Sequence, residues 1–311
     1  MLVYFVEPSA EFVGETNPYK KLELITRCCY KSTDKITEDS CYAFIEGLIK
    51  RKHFAMFEHI TMSVELCESE YKHLLELSNT YFSKSAPTKN LWRYVKFIKD
   101  TDTGRMFVTG SIRAFNESPI YPYISSHILN YIGELFAYTK LNKYSPQKFP
   151  SYGKFVTKSD LSEMPIGLRN QLTYHTAHFI TDRGITHEIV RHRNCGFAQE
   201  STRYVNYNKS GISFIIPSGI TDSTSLDIYS KALSTCAESY ITMIDNGVKP
   251  QSARSILPNC VKSEIYVTTS SAEWEHIFNL RLFGTTGNPH PDMKKLMALL
   301  YPQYTSIQTQ S

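Results

Sequence analysis

The chain has 311 residues, 41% of them hydrophobic and 21% charged, with a formal net charge of +4. That balance suits a globular protein of one large domain or two modest ones, and so small a net charge argues against a surface built to coat nucleic acid. Seven cysteines with no CxxC pair leave an odd count, as expected of reduced thiols in a cytoplasmic protein. The opening MLVYFVEPSAEFVGE is not a signal peptide, and no stretch nears the ~20 apolar residues that span a bilayer, so no membrane association is expected.

In chain order, residues 2–6 predict a short strand ended by Pro8, and residues 17–30 carry a helical stripe of Leu22, Ile25 and Cys29. Residues 37–52 predict an amphipathic helix, with Thr37 and Ser40 as rival N-caps and Tyr42, Ile45, Leu48 and Ile49 on one face. After His53-Phe-Ala-Met-Phe-Glu58-His59, residues 60–66 alternate as a strand. Residues 67–171 differ in character. They predict a helix over 69–82, a hairpin of 93–99 and 106–110 around Asp100-Thr-Asp-Thr-Gly104, a helix over 128–141 and a surface connection over 145–165.

Residues 174–181 return to a strand pattern and 185–193 predict a helix entering a basic cluster. A β-rich stretch over 204–216 precedes the clearest long helix, 223–246, ended by Gly247. Shorter helices over 250–257, 271–282 and 292–300 and a strand over 263–268 complete the chain. The elements do not alternate as βαβ, so the expected fold class is α+β, with a mainly antiparallel sheet packed with long helices.

Chemistry concentrates in residues 185–207, ITHEIVRHRNCGFAQESTRYVNY. His187-Glu188 invites comparison with the zinc-binding HExxH helix. The next histidine, His192, comes five residues on, which turns the two rings to different faces, so no metal site is expected. Cys195 lies among cations that can activate a thiol, although one small, partly buried thiol is the commoner outcome. No GxGxxG, Walker or GxSxG pattern is present, so any nucleotide is held by side chains. Arg191-His192-Arg193 point in three directions if helical. Seven residues further, Ser201-Thr-Arg203 adds a hydroxyl and another bidentate cation.

This RHR-x7-S pattern resembles the signature of the flavin-dependent thymidylate synthases. The agreement extends to His53…FEHI, HEIVRHR, QESTRY and SFIIP, then Ala253-Arg254-x-x-Leu257-Pro258 and Asn279-Leu280-Arg281. It covers roughly residues 27–65 and 174–281, leaving 67–171 as an insertion of ~100 residues within one domain spanning 1–311.

The resemblance implies reductive methylation of dUMP to dTMP, with FAD as cofactor and with methylenetetrahydrofolate and NADPH as co-substrates, in a homotetramer whose active sites are shared between subunits. It implies dUMP contacts by Glu188, Arg191, Gln199, Glu200, Ser201, Arg203, Arg254 and Arg281, with Arg281 activating the uracil ring. FAD contacts would come from His53, Arg191, His192, Arg193, Gln199, Ser270 and His276. Several positions depart from the family pattern. Glu188 replaces a common glutamine, Ala55 a hydroxyl residue, and Ala272 an arginine that would face the FAD phosphates. Lys89, Arg93 and Arg105 of the insertion are candidates to replace that cation. Two other readings stand beside the enzyme: a degenerate paralogue that no longer binds FAD, and a nucleotide- or RNA-binding protein stacking bases on Tyr204 and Tyr207.

Overall fold

The computed structural model describes residues 3–84, 95–132 and 150–310. The fold is α+β, with two four-stranded antiparallel sheets and one small parallel pair. The strands, in chain order, are β1 (Tyr4–Phe5), β2 (Ser9–Phe12), β3 (Thr61–Leu66), β4 (Val95–Lys99), β5 (Met106–Ser111), β6 (Lys154–Phe155), β7 (Tyr174–Asp182), β8 (Gly196–Gln199), β9 (Ser213–Phe214) and β10 (Lys262–Ser270). The helices are α1 (Pro18–Cys29), α2 (Ser40–Lys50), α3 (Glu68–Lys84), α4 (Ile112–Asn116), α5 (Tyr121–Ile132), α6 (Lys158–Ser162) and α7 (Ile166–Leu172). They continue with α8 (Arg183–Ile189), α9 (Tyr207–Ser210), α10 (Ser223–Asp245), α11 (Pro250–Ala253), α12 (Ser271–Arg281) and α13 (Pro291–Gln310).

The first sheet runs β2-β7-β10-β8. Strand β10 is its centre, paired along its whole length with β7 and along four residues with β8. Alternation divides its side chains. Ile265 and Val267 face α8, α12 and α13, where they pack with Ile185, Ile189, Trp274, Ile277, Met293 and Leu296. Tyr266 faces α1, joining Ile25, Cys28 and Ala198. Helix α1 starts sharply because the Asn17 side chain accepts from the Tyr19 and Lys20 N–H groups while Pro18 occupies the first turn.

The second sheet runs β4-β5-β3-β6. Three of its strands come from residues 67–171, and β3 is the preceding 61–66 strand. Its core unites Phe57, Ile60, Met62 and Val64 with Phe115, Ile120, Ile124 and Ile128. Residues 67–171 are therefore built onto β3, a strand that precedes them in the chain.

Several local expectations change. The stretch 204–216 is not β-rich: it holds the single turn α9 and only the two residues of β9, because Tyr207 is drawn into the core by Tyr240 and Glu200. The 185–193 helix stops at Ile189 with Val190 as its cap, so 191–193 lie in the following turn. The 250–257 helix is α11 followed by a 3-10 turn, Arg254–Ile256. In the 37–52 helix neither Thr37 nor Ser40 is the cap residue. Asp39 holds that position, and the Ser40 hydroxyl instead accepts from the Thr37 N–H. The 128–141 helix is seen as the end of α5, its remainder lying outside the described residues, as do Lys89 and Arg93.

Candidate active site

The basic stretch divides into two groups at opposite ends of β8. At one end the chain leaves α8, whose start is fixed by the Asp182 side chain accepting from the Ile185 N–H, and turns through Arg191-His192-Arg193. Arg191 and Arg193 are exposed and His192 is buried. The three side chains diverge as expected, though a turn and not a helix separates them.

Arg281, at the last position of α12, closes onto this turn. Its Nε–H donates to His192 Nε2 at 3.1 Å, one Nη to a Glu188 carboxylate oxygen at 3.1 Å, and the other to the Glu188 carbonyl at 3.5 Å. A guanidinium cannot accept a hydrogen bond, so His192 must present an unprotonated Nε2 and carry its proton on Nδ1. Burial, then the adjacent Arg281 cation, lowers the His192 pKa to about 4, which keeps the ring neutral at ordinary pH. Of the five N–H donors of a guanidinium, three are thus occupied and one remains on each Nη. Beneath the pair lies a small apolar slot lined by Phe179, Ile189, Val267, Trp274, Met293 and Met297. His276 is exposed, with its ring 6.5 Å from that of His192. Ser270 is buried and serves as the N-cap of α12, accepting from the Glu273 N–H.

The second group lies four strand residues away, on the order of 13 Å. The Ser201 N–H donates to the Cys29 carbonyl at 3.0 Å, which ties this loop to the end of α1. Arg203 lies over the Tyr204 ring, which is 5.6 Å from the Tyr30 ring, and the Tyr30 hydroxyl is 3.1 Å from His53 Nδ1. Arg254 donates to the Thr202 hydroxyl at 3.2 Å. This brings His53, Ser201, Arg203 and Arg254 together from three separate parts of the sequence.

Two predicted contact residues are committed inside the protein. Glu200 is only 2% exposed; it accepts from the Tyr207 hydroxyl at 2.8 Å and from Lys262 at 3.2 Å. Lys262 also bonds Glu264, whose other oxygen meets His178, and despite burial the His178 hydrogen bond and then the Lys262 cation hold the Glu264 pKa down at about 2. Gln199 donates to Thr186 and Ser263 on the helix side of the sheet. Tyr207, offered as a base-stacking platform, is 2% exposed and lies under these contacts, which removes it from that role. Burial pushes the Cys195 thiol up to about 12, the opposite of an activated nucleophile. Arg105 forms a two-point ion pair with Glu65, with N–O distances of 2.7 and 2.8 Å.

Among the described residues Arg191, Arg193, Arg203 and Arg254 are exposed and have no carboxylate partner. An uncompensated set of guanidinium groups suits ligands that carry phosphate. Tyr30 belongs to the second group yet was missed in the sequence. Its only signal was the Arg27-Cys-Cys-Tyr30 corner, and nothing local announces that a loop 170 residues later will stack against it.

Residues 171–306 match the family described as thymidylate synthase complementing protein. Flavin-dependent thymidylate synthases are similar to part of the chain: that of Geobacter sulfurreducens is 33% identical over 100 residues, 32% of this chain and 43% of that protein. Those of Pyrococcus abyssi and Pyrococcus horikoshii are 36% and 39% identical over 103 residues, 32% of this chain and 42% of each. The similarity thus spans less than half the length of these curated relatives. A solved UMP/dUMP methylase, PolB from Streptomyces cacaoi bound with 5-Br dUMP, aligns over 99% of this chain and 97% of its own at 12% identity, with a TM-score of 0.41. A likeness at that level carries no argument about activity. The resemblance to flavin-dependent thymidylate synthases is confirmed over the C-terminal segment carrying the arginine motif; the family match does not reach residues 27–65.

Proposed function

We propose that the protein is a flavin-dependent thymidylate synthase that reductively methylates dUMP to dTMP. The observation that carries this reading is the fixed Arg281 guanidinium, held by Glu188 and neutral His192 with one donor free on each Nη. Aimed at a uracil carbonyl, two such donors favour negative charge on the ring as it reacts. Arg203 and Arg254 supply the charge for the nucleotide phosphate, with Ser201 as a binding hydroxyl. Glu200 and Gln199 support that loop from inside, since their side chains are already bonded. The similarity of residues 171–306 to the family supports the same chemistry.

The donor set also fits FAD, which carries two phosphates and a planar ring: Arg191, Arg193 and His276 are exposed at one group, and His53 lies against Tyr30 at the other. Bound there, the flavin would supply a hydride carrier, leaving orientation, charge and exclusion of water to the protein. NADPH and methylenetetrahydrofolate are the proposed reductant and carbon donor. We read the chain as one cytoplasmic domain carrying the 67–171 insertion.

Since β8 holds the two groups apart, one small nucleotide does not reach both within a chain. We therefore propose that they combine across subunits of a homotetramer. Mixing Arg281→Ala chains with Arg203→Ala chains, each inactive alone, should restore a measurable fraction of dTMP formation. Failure of an assembled mixture to recover any would sink the shared-site reading. Titration calorimetry with dUMP tests the substrate directly: Arg203→Ala should weaken binding at least tenfold, and unchanged affinity would count against the assignment. The burial of Tyr207 removes one of the two stacking rings of the RNA-binding alternative, while Tyr204 is exposed.

A further inference from the structure

A cleft between the two sheets is lined by Glu58, Lys96, Ser111, Tyr174, Asn194 and Thr268, among others. It opens beside the Arg191–Arg193 turn but involves none of the residues expected to bind a ligand. Lys96 enters it by register. It pairs with Thr109 of β5, and Thr109 pairs with Ser63 of β3, so the three side chains share one face of the second sheet. That face is the one turned toward the first sheet: the Ser63 hydroxyl reaches the Leu172 carbonyl at 3.2 Å, and the Thr109 hydroxyl is 3.4 Å from that of Tyr174.

A lysine on an inward sheet face normally has a carboxylate partner. Among the described residues Lys96 has none. Glu58, the carboxylate in the cleft, bonds Arg113 at 2.6 Å, a guanidinium it shares with Glu117 at 3.2 Å, and Glu273 accepts from Asn194 at 3.2 Å. Ser111 accepts from the Ala114 N–H, which leaves its own proton to donate. The cleft thus offers an ammonium with no carboxylate at ion-pair distance among the described residues, together with hydroxyl groups from β5 and β7. Convergent donors of that kind suit a tetrahedral oxyanion better than a planar carboxylate.

We propose that this cleft binds a phosphate group and that Lys96, contributed by the insertion, provides its charge. The phosphate has two possible sources, a free phosphate ion or the phosphates of FAD, and the second rests on the flavin reading above. Arg105 cannot take this role. It lies at the Leu66–Met106 end of the β3–β5 pair, the cleft being at the Thr61–Ser111 end, and Glu65 already holds its guanidinium.

The test compares the full-length wild type with Lys96→Met, Lys96→Gln and, as a control on the same sheet, Arg105→Met. Circular dichroism establishes that each is folded, and binding of inorganic pyrophosphate, FAD and riboflavin is measured by calorimetry and flavin fluorescence. Pyrophosphate affinity should fall about tenfold in both Lys96 variants and stay unchanged in Arg105→Met. If the cofactor is the source, FAD weakens by a similar factor while riboflavin, which has no phosphate, does not. If FAD is unaffected while pyrophosphate binding is lost, the site takes free phosphate. Should the wild type bind no flavin at all, the flavin reading fails and the pyrophosphate comparison still decides the cleft. Wild-type affinities for both pyrophosphate and FAD in the Lys96 variants, or a wild type that binds neither pyrophosphate nor FAD, would overturn the proposal.

Discussion

Arg281 illustrates how one side chain acquires a role from its neighbours. A lone exposed arginine is a mobile cation, whereas this one is fixed at three points by Glu188 and His192. Arg281→Ala should fold normally and lower dTMP formation by about 100-fold, the usual cost of losing a donor aimed at developing charge; near-normal turnover would remove it from the mechanism. His192 is open to a different measurement. Burial lowers its pKa to about 4, as burial also lowers His59 to about 3 and His175 to about 4. An unfolded histidine titrates near ~6.5, so between these values the unfolded chain binds more protons than the folded one. The stability from neutral His192 is complete above that range and is lost as pH falls toward about 4. His192→Gln keeps an acceptor for Arg281 but cannot titrate. Urea unfolding followed against pH should therefore decline less steeply than in the wild type, and identical slopes would contradict the neutral ring. Cys195→Ala should retain activity, because a thiol held at about 12 is not a nucleophile at neutral pH; complete loss with nucleotide binding intact would revive a thiol mechanism.

At the scale of elements, the first sheet depends on a buried charge network. Lys262 joins Glu200 and Glu264 at the edge of β10, and Tyr207 and His178 bind their remaining oxygens. Lys262→Met leaves the buried Glu200 and the half-buried Glu264 without their cation, so it should cost about 3 kcal/mol in urea unfolding; a loss below ~0.5 kcal/mol, the usual scale for a surface change, would refute the network's role. This network also explains where sequence reading succeeded and failed. Helices α1 and α10 and strand β7 were legible because each carries a periodic pattern with caps or turns at its ends. Strands β2 and β8 were not, because four residues are too few to establish a period. The 204–216 stretch has β-forming residues, yet the Tyr207–Glu200 bond, a tertiary contact, sets its path. The candidate site divided in the same way. The arginines were visible as motifs, while the engagement of Glu200 and Gln199 and the recruitment of Tyr30 depend on pairings made only by folding.

Over the whole molecule, two antiparallel sheets share the task of presenting charge. The first places its arginines at both ends of β8, and the second, built largely from residues 67–171 around β3, brings Lys96 to a cleft beside them. Under the proposals above, residues 67–171 would form part of the ligand-binding surface, and a complete site would draw on more than one copy of the chain. The central claim is the activity itself, and the most direct measurement is dTMP formation by the purified full-length protein supplied with FAD, NADPH, methylenetetrahydrofolate and dUMP. We predict dTMP that requires all four components and is abolished in Arg281→Ala. A wild-type protein that binds both FAD and dUMP yet forms no dTMP would contradict the account.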